Sequence, residues 1–260
     1  MYNCDKIGSD GAKKPGRVTA AQAVEDTKYI STGSDEFDRV IGGGLVAGST
    51  ILFGGSEGAG KSSLMMAVAS QLASKRPVLY ASGEESDQDV LKIAHRLGVK
   101  NERIEIMGNA LDVDAIIDRC RELKPVLTVF DSLQVMTCDD VKGSEASVSQ
   151  EVAVGNIVTG YCKESGMCAV LVNHMTKQGE MKGTTEVKHL VDTVLYLEKF
   201  FVQDGDEFAD DYGKRFAGME VRILEVAKNR NGREGVNAFF EMTDSGLAPI
   251  KPKSKIIPLR

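Results

Sequence analysis

Apolar positions in this chain fall into short continuous runs, separated by longer stretches in which they recur every three or four residues. Thr50–Phe53, Pro77–Ala81, Arg103–Ile106, Val126–Phe130 and Met167–Val172 are runs of the first kind. Strands buried on both faces read this way, because neither side alternates with water. Between them, Lys61–Ser74 carries Leu64, Val68 and Leu72 on one stripe, and Asp87–Leu97, Asp112–Lys124 and Ser147–Ser165 read as further helices. Gly98 and Gly166 stand where helices need a left-handed end, and Pro125 stops the helix before it. The alternation predicts a mostly parallel central sheet with helices on both faces. After Val191 the pattern changes. Thr193–Leu197, Val221–Val226 and Val236–Phe240 read as consecutive strands without helices between them, an antiparallel C-terminal extension, with the acidic stretch DGDEFADD (204–211) as a loop between two of them.

The ends read differently from the middle. Residues 1–16 are polar and expected to be mobile. Residues 17–27 hold a small apolar set, Val18, Ala20, Ala21 and Val24, that suits a short helix packed on this core or on a neighbour's. The expected division is a flexible segment 1–30 with a role in oligomerisation, an ATPase domain 31–250, and a basic tail 251–260, KPKSKIIPLR.

Composition narrows the class. A chain of 260 residues, 42% of them hydrophobic, suits one large α/β domain. A net charge of -6 argues against binding nucleic acid over the whole surface, but leaves room for a local basic groove. The five cysteines, Cys4, Cys120, Cys138, Cys162 and Cys168, form no C-x-x-C pair, so no zinc is expected. No apolar leader and no run of 18 apolar residues is present, which predicts a cytoplasmic protein with no membrane contact.

The strongest chemical signal is Gly55-Ser56-Glu57-Gly58-Ala59-Gly60-Lys61-Ser62, a full G-x-x-x-x-G-K-[ST] match between a predicted strand and a predicted helix. Glycines let backbone N–H groups point at phosphate oxygens, and the helix N-terminus adds its positive end. Lys61 is expected on the β- and γ-phosphates of ATP, Ser62 on Mg²⁺, and Ser63 completes the nucleotide-binding set. Asp131 closes the strand VLTVF, where a carboxylate faces the ligand crevice of an open sheet, and is expected to hold the Mg²⁺ shell.

Other candidates are weaker. Glu84 and Glu85 follow the strand PVLYAS; Glu84, nearer the strand end, is the expected general base, though both would also suit the first turn of a helix. Asn173 and His174 end the strand AVLV and could sense the γ-phosphate, or serve structure alone. Segments 136–150 and 175–189 hold glycine, serine or threonine, and lysine. Such loops suit a phosphodiester backbone, with Lys177, Lys182, Gly183 and Thr184 as DNA contacts, and equally suit ordinary polar loops. Lys228-Asn229-Arg230-Asn231-Gly232 reads either as a pair of cations acting on a neighbour's nucleotide or as a hairpin turn.

Taken together these stretches resemble the RadA/Sms family of RecA-like DNA-repair ATPases. ISTGSDEFDRVIGGGLVAGS, GGSEGAGKSSL, VLYASGEES, LKPVLTVFDSLQ, GSEASVSQ, HLVDTVLYLE, AKNRNG and FEMTDSGL occur in family order from Ile30 to Leu247. The resemblance implies a RecA-like P-loop NTPase fold. It implies Glu84 as catalytic glutamate, 136–150 and 175–189 as DNA-facing loops, and Lys228 and Arg230 as catalytic cations acting from a neighbouring subunit. It further implies a DNA-dependent ATPase motor of recombination or repair that assembles on single-stranded DNA as a ring, a hexamer, or as a filament. Branch migration or helicase activity would follow. Family members carry a four-cysteine zinc ribbon and a Lon-protease-like domain, and this sequence reads as the motor core without them. Asn231 replaces the phenylalanine of the family's KNRFG motif, and the Asn-Gly pair looks like the turn of DnaB-type replicative helicases. A DnaB-type helicase core and a KaiC-like signalling ATPase without DNA are the competing readings.

Overall fold

A computed structural model describes residues 29–141, 147–174 and 182–253, with side chains outside 182–184. The described residues open with strand β1 (Tyr29–Ile30), helix α1 (Asp35–Ile41) and strand β2 (Leu45–Val46); β1 and β2 pair antiparallel, so Tyr29 and Ile30, ahead of the expected start at Ser31, are part of the fold. Helix α1 is short but well specified. Ser34 Oγ accepts from Phe37 N–H, acidic residues fill the first turn, and Gly42 closes it in the left-handed region at φ 95°.

Then come β3 (Thr50–Gly55), α2 (Lys61–Leu72), β4 (Val78–Ser82), α3 (Asp87–Arg96), β5 (Ile104–Met107), α4 (Val113–Leu123) and β6 (Leu127–Asp131). They are followed by α5 (Val148–Ser165), β7 (Cys168–Val172), α6 (Lys182–Leu190), β8 (Thr193–Phe201), α7 (Glu207–Tyr212), β9 (Glu220–Asn229), β10 (Asn237–Thr243) and β11 (Gly246–Ile250). Ser86, Asp112 and Ser147 each accept from a backbone N–H at the start of α3, α4 and α5. Strands β3, β4, β6 and β7 are buried along their whole length, as their unbroken apolar runs require.

The main sheet has the order β11-β10-β9-β8-β3-β7-β6-β4-β5. From β5 to β8 neighbours run parallel; β8 to β11 are antiparallel. Two apolar layers cover it. Phe37, Val40, Leu64, Met65, Val68 and Val90 lie on one side, and Ile116, Ile117, Val154, Val158 and Val187 on the other.

Three expectations change. Thr193–Leu197 is the junction of the two parts of the sheet: β8 runs antiparallel to β9, as expected, but parallel to β3 on its other side, with Ile51 opposite Thr193. The crossover helix α6, in a stretch read as a polar loop, carries the chain from β7 over β3 and allows that direction. The acidic stretch 204–211 is partly helix α7, since Phe208 and Ala209 pack with Val202, Phe216, Val221 and Ile250 in a small satellite core. A further strand, β11, extends the sheet. Lys253, assigned to the basic tail, donates from Nζ to the Ala209 and Asp210 carbonyls. The expected helix at 17–27, its apolar set and most of the basic tail lie outside the described residues.

Candidate nucleotide site

Strand β3 is the central parallel strand, and its C-terminal end turns directly into the glycine-rich loop. Gly58 and Gly60 adopt φ of 68° and 104°, in the left-handed region that favours glycine. At Gly60 the fit is also close: a Cβ there would lie 2.9 Å from Met242 Cε. Gly55 would meet the Leu197 carbonyl oxygen at 2.3 Å, so β8 presses on the loop's first residue. Helix α2 starts at Lys61 with Gly60 as its N-cap and no side-chain cap, which leaves its first N–H groups to a ligand.

Lys61 is 5% exposed, and its Nζ donates to the Gly55 and Ser56 carbonyls at 2.8 and 3.0 Å. Burial pulls its pKa down, while Asp131, Glu198, Glu84 and Glu57 oppose that pull. The Tyr80 hydroxyl donates to Asp131 Oδ2 at 2.6 Å, and Ser62, at the start of α2, acts on the same phenol by pulling its pKa down. One phenol thus spans the hydroxyl and the carboxylate expected around Mg²⁺. Two oxygen donors side by side, one of them charged, fit a hard divalent cation. Burial, followed by the Asp131 charge, raises the Tyr80 pKa well above its ordinary value, so the phenol stays a proton donor.

Glu84 lies two residues beyond β4. Its Oε1 accepts from the Ser132 hydroxyl, just past β6, and its Oε2 lies 3.3 Å from His174 Nε2, just past β7. Glu85 is turned by a bond from its N–H to Ser82 Oγ, and burial, then Asp131, Asp89 and Glu84, raise its carboxyl pKa. Asn173 is fully buried; its N–H donates to Phe53 O, while Oδ1 and Nδ2 have no hydrogen-bond partner. Ser56 Oγ in the loop is likewise buried and unpartnered. Unpartnered buried polar atoms cost about 1–3 kcal/mol each, and two sets of them stand at the ligand crevice.

Lys228 and Arg230 stand elsewhere. Lys228 pairs with Val194 near the start of β8, about 10 Å of strand from Leu197, which pairs with Gly55. Lys228 Nζ donates to the Lys188 and Val191 carbonyls at 2.6 and 2.7 Å, and Arg230 reaches the His189 carbonyl and Asp192 Oδ1. Both cations cap the end of α6 in their own chain and lie away from its P-loop. Burial, followed by Arg230, lowers the Lys228 pKa. Lys182, Gly183 and Thr184 open helix α6, and Lys177 lies outside the described residues. Gln150, at the start of α5, fixes residues 138 and 141 of the other expected segment by bonds to Cys138 N, Cys138 O and Val141 O.

Sequence reasoning missed Tyr80, Ser132 and Arg222, whose Nε donates to the Ala59 carbonyl of the loop. It also missed Arg96, which donates to Ser63 Oγ. None of these sits in a spaced motif. Their roles come from strand register, which brings residues distant in sequence to one edge.

Fold and loop together place the chain among the RecA-like P-loop ATPases. The chain belongs to the KaiC ATPase family, whose model matches residues 30–254. It is 35% identical over 244 residues to a DNA repair protein RadA of Pseudomonas aeruginosa. It is 36% identical over 249 residues to the RadA of Escherichia coli, and 35% over 245 to that of Bacillus subtilis. These matches cover 94–96% of this chain, and the chain spans about half the length of those relatives, 50% in each case. A KaiC-like protein of Pyrococcus horikoshii superposes with a TM-score of 0.66 over 86% of this chain and 99% of its own, at 18% identity, which shows the shared fold. Among the described residues no helix is long and apolar enough to cross a membrane, and no group of three or more His, Cys, Asp or Glu could hold a metal ion.

Proposed function

We propose that this chain is the motor core of a DNA-dependent ATPase of recombination or repair, using Mg²⁺-ATP at Gly55–Ser63. The observation that carries the reading is the convergence of Lys61, the Ser62–Tyr80–Asp131 cluster and Glu84 at the C-terminal edge of the central sheet. Ser62 and Asp131 would hold the Mg²⁺, which neutralises charge on the phosphates when bound. Glu84 is the base that polarises the attacking water; its bond from Ser132 and its closeness to His174 aim it across the strand ends. The unpartnered Asn173 amide and His174 sense the γ-phosphate, and the segment that follows them carries that signal to DNA.

Lys177, Lys182, Gly183 and Thr184 contact the phosphodiester backbone of single-stranded DNA. Lys228 and Arg230 serve the nucleotide of an adjoining copy in a ring or filament, since their place beside α6 separates them from their own loop. The resemblance to the RadA proteins supports the DNA reading. The family match also favours a second reading, a KaiC-like signalling ATPase without DNA. The ATPase rate with and without single-stranded DNA, with electron micrographs of the same samples, decides between them. Stimulation with rings or filaments is expected; a rate indifferent to DNA would overturn the DNA reading and leave the signalling one.

A further inference from the structure

Arg222 is a buried charge outside the motifs of nucleotide chemistry. It lies on β9 with Lys199 of β8 on one side and Phe240 of β10 on the other. Directly opposed side chains share a face of the sheet. That face carries Leu224 and Phe240, which pack in the same apolar layer as helix α2. The side chain is 6% exposed. Its Nε donates to the Ala59 carbonyl at 3.0 Å, and its Nη1 donates to Glu220 Oε1 at 2.8 Å and to the Val221 carbonyl at 3.3 Å. Glu220, two residues before it on the same face, neutralises the charge that burial would otherwise penalise.

The bond to Ala59 has a geometric consequence. In a trans peptide the C=O and the following N–H point in opposite directions. A guanidinium that holds the Ala59 carbonyl toward β9 therefore aims the Gly60 N–H away from β9, into the concave side of the loop where phosphate oxygens bind. Gly60 has little stiffness of its own: at φ 104° and without a side chain, its two flanking peptides can rotate readily. The cation also draws electron density from that peptide and makes its N–H a stronger donor. Lys199, opposite Arg222, brings a second cation to the loop; its Nζ lies 3.5 Å from where a Cβ on Gly58 would stand.

We propose that Arg222 is a positioning residue of the nucleotide site, which orients the Ala59–Gly60 peptide for the β-phosphate from the antiparallel side of the sheet. Arg222 acts through Ala59 and touches no reacting atom. The β-phosphate is present in ATP and ADP alike and stays bound through the reaction. Loss of the contact therefore removes uniform binding, which raises KM and leaves kcat nearly constant.

The proposal rests on ATP binding at the loop, so binding by the unaltered protein is measured first. Failure there would refute the nucleotide reading itself. The variants are Arg222→Gln and Arg222→Lys; the second keeps the charge and the fold but lacks the Nε donor. Fluorescent ATP and ADP analogues are titrated with Mg²⁺ present, KM and kcat are measured, and thermal midpoints are recorded without nucleotide. Both variants are expected to bind ATP and ADP about tenfold more weakly, by similar factors, with kcat within about twofold. Arg215→Gln, an exposed arginine on the same extension, is the control for net charge and should bind as the unaltered protein does. The proposal fails if folded Arg222→Lys keeps full affinity for both nucleotides, or if kcat falls while KM and affinity hold. A lowered midpoint with unchanged affinity also overturns it, since that is the signature of a purely structural arginine. If Arg222→Gln does not fold, Arg222→Lys decides alone.

Discussion

Lys61 carries its charge in a nearly closed space, with two backbone carbonyls for company and four acidic groups around it. A triphosphate competes for that ammonium and brings more negative charge than the carbonyls do. Lys61→Ala should therefore lose productive ATP binding while leaving the fold intact, and calorimetric titration beside circular dichroism separates the two. Glu84 offers a complementary test. Glu84→Gln keeps a group of the same size beside Ser132 and His174 but cannot take a proton from water. It should bind ATP normally and turn over about 10²–10⁴-fold more slowly. Glu85→Gln should be the milder change, because the Glu85 backbone is turned toward Ser82 and the carboxyl has no bond to the ends of β6 and β7. A normal rate in Glu84→Gln with a slow Glu85→Gln would reverse the two roles.

The strands that stand out most plainly in the sequence are those whose burial is total. Strands β3, β4, β6 and β7 sit between two helical layers, so their residues had to be apolar at every position, and the run was visible. Helix α1 was hidden because it is seven residues long and its apolar content is three residues, Phe37, Val40 and Ile41. Helix α6 was hidden by its lysines and threonines, and α7 by its acids; each is held by one apolar face, Val187 in α6 and Phe208 with Ala209 in α7. The P-loop and Asp131 were legible because their spacing is local. Tyr80, Ser132, Arg96 and Arg222 were not, because each meets its partner through sheet order or helix packing. Gln150 shows the same limit on the other side of the sheet, where three hydrogen bonds from one buried amide hold residues 138–141 against α5. Gln150→Leu would leave the Cys138 and Val141 groups unsatisfied and should cost about 1–3 kcal/mol per orphaned group. Urea unfolding followed by circular dichroism measures it; an unchanged midpoint would mean that water replaces the amide without loss.

At the scale of the whole molecule, the sheet separates two kinds of chemistry. Lys61, Ser62, Asp131 and Glu84 gather at the C-terminal ends of the parallel strands, while Lys228 and Arg230 stand at the start of β8, tied to α6. Within one chain the two sets stand apart, and the proposed action of Arg230 on a nucleotide takes a second copy. A mixture of Lys61→Ala and Arg230→Ala proteins, each inactive alone, should regain partial ATPase activity where an intact loop meets an intact arginine. If mixed assemblies form and no ratio restores activity, Arg230 serves only to cap α6. The sheet order also bears on how the site comes into being. Strand β3 lies between β7 and β8, so it gains neighbours only after residues far down the chain have been made. At the ordinary pace of translation that interval is on the order of ten seconds. During it the ribosome holds a chain that contains every residue of the phosphate motif, and none of the walls that would keep it in shape.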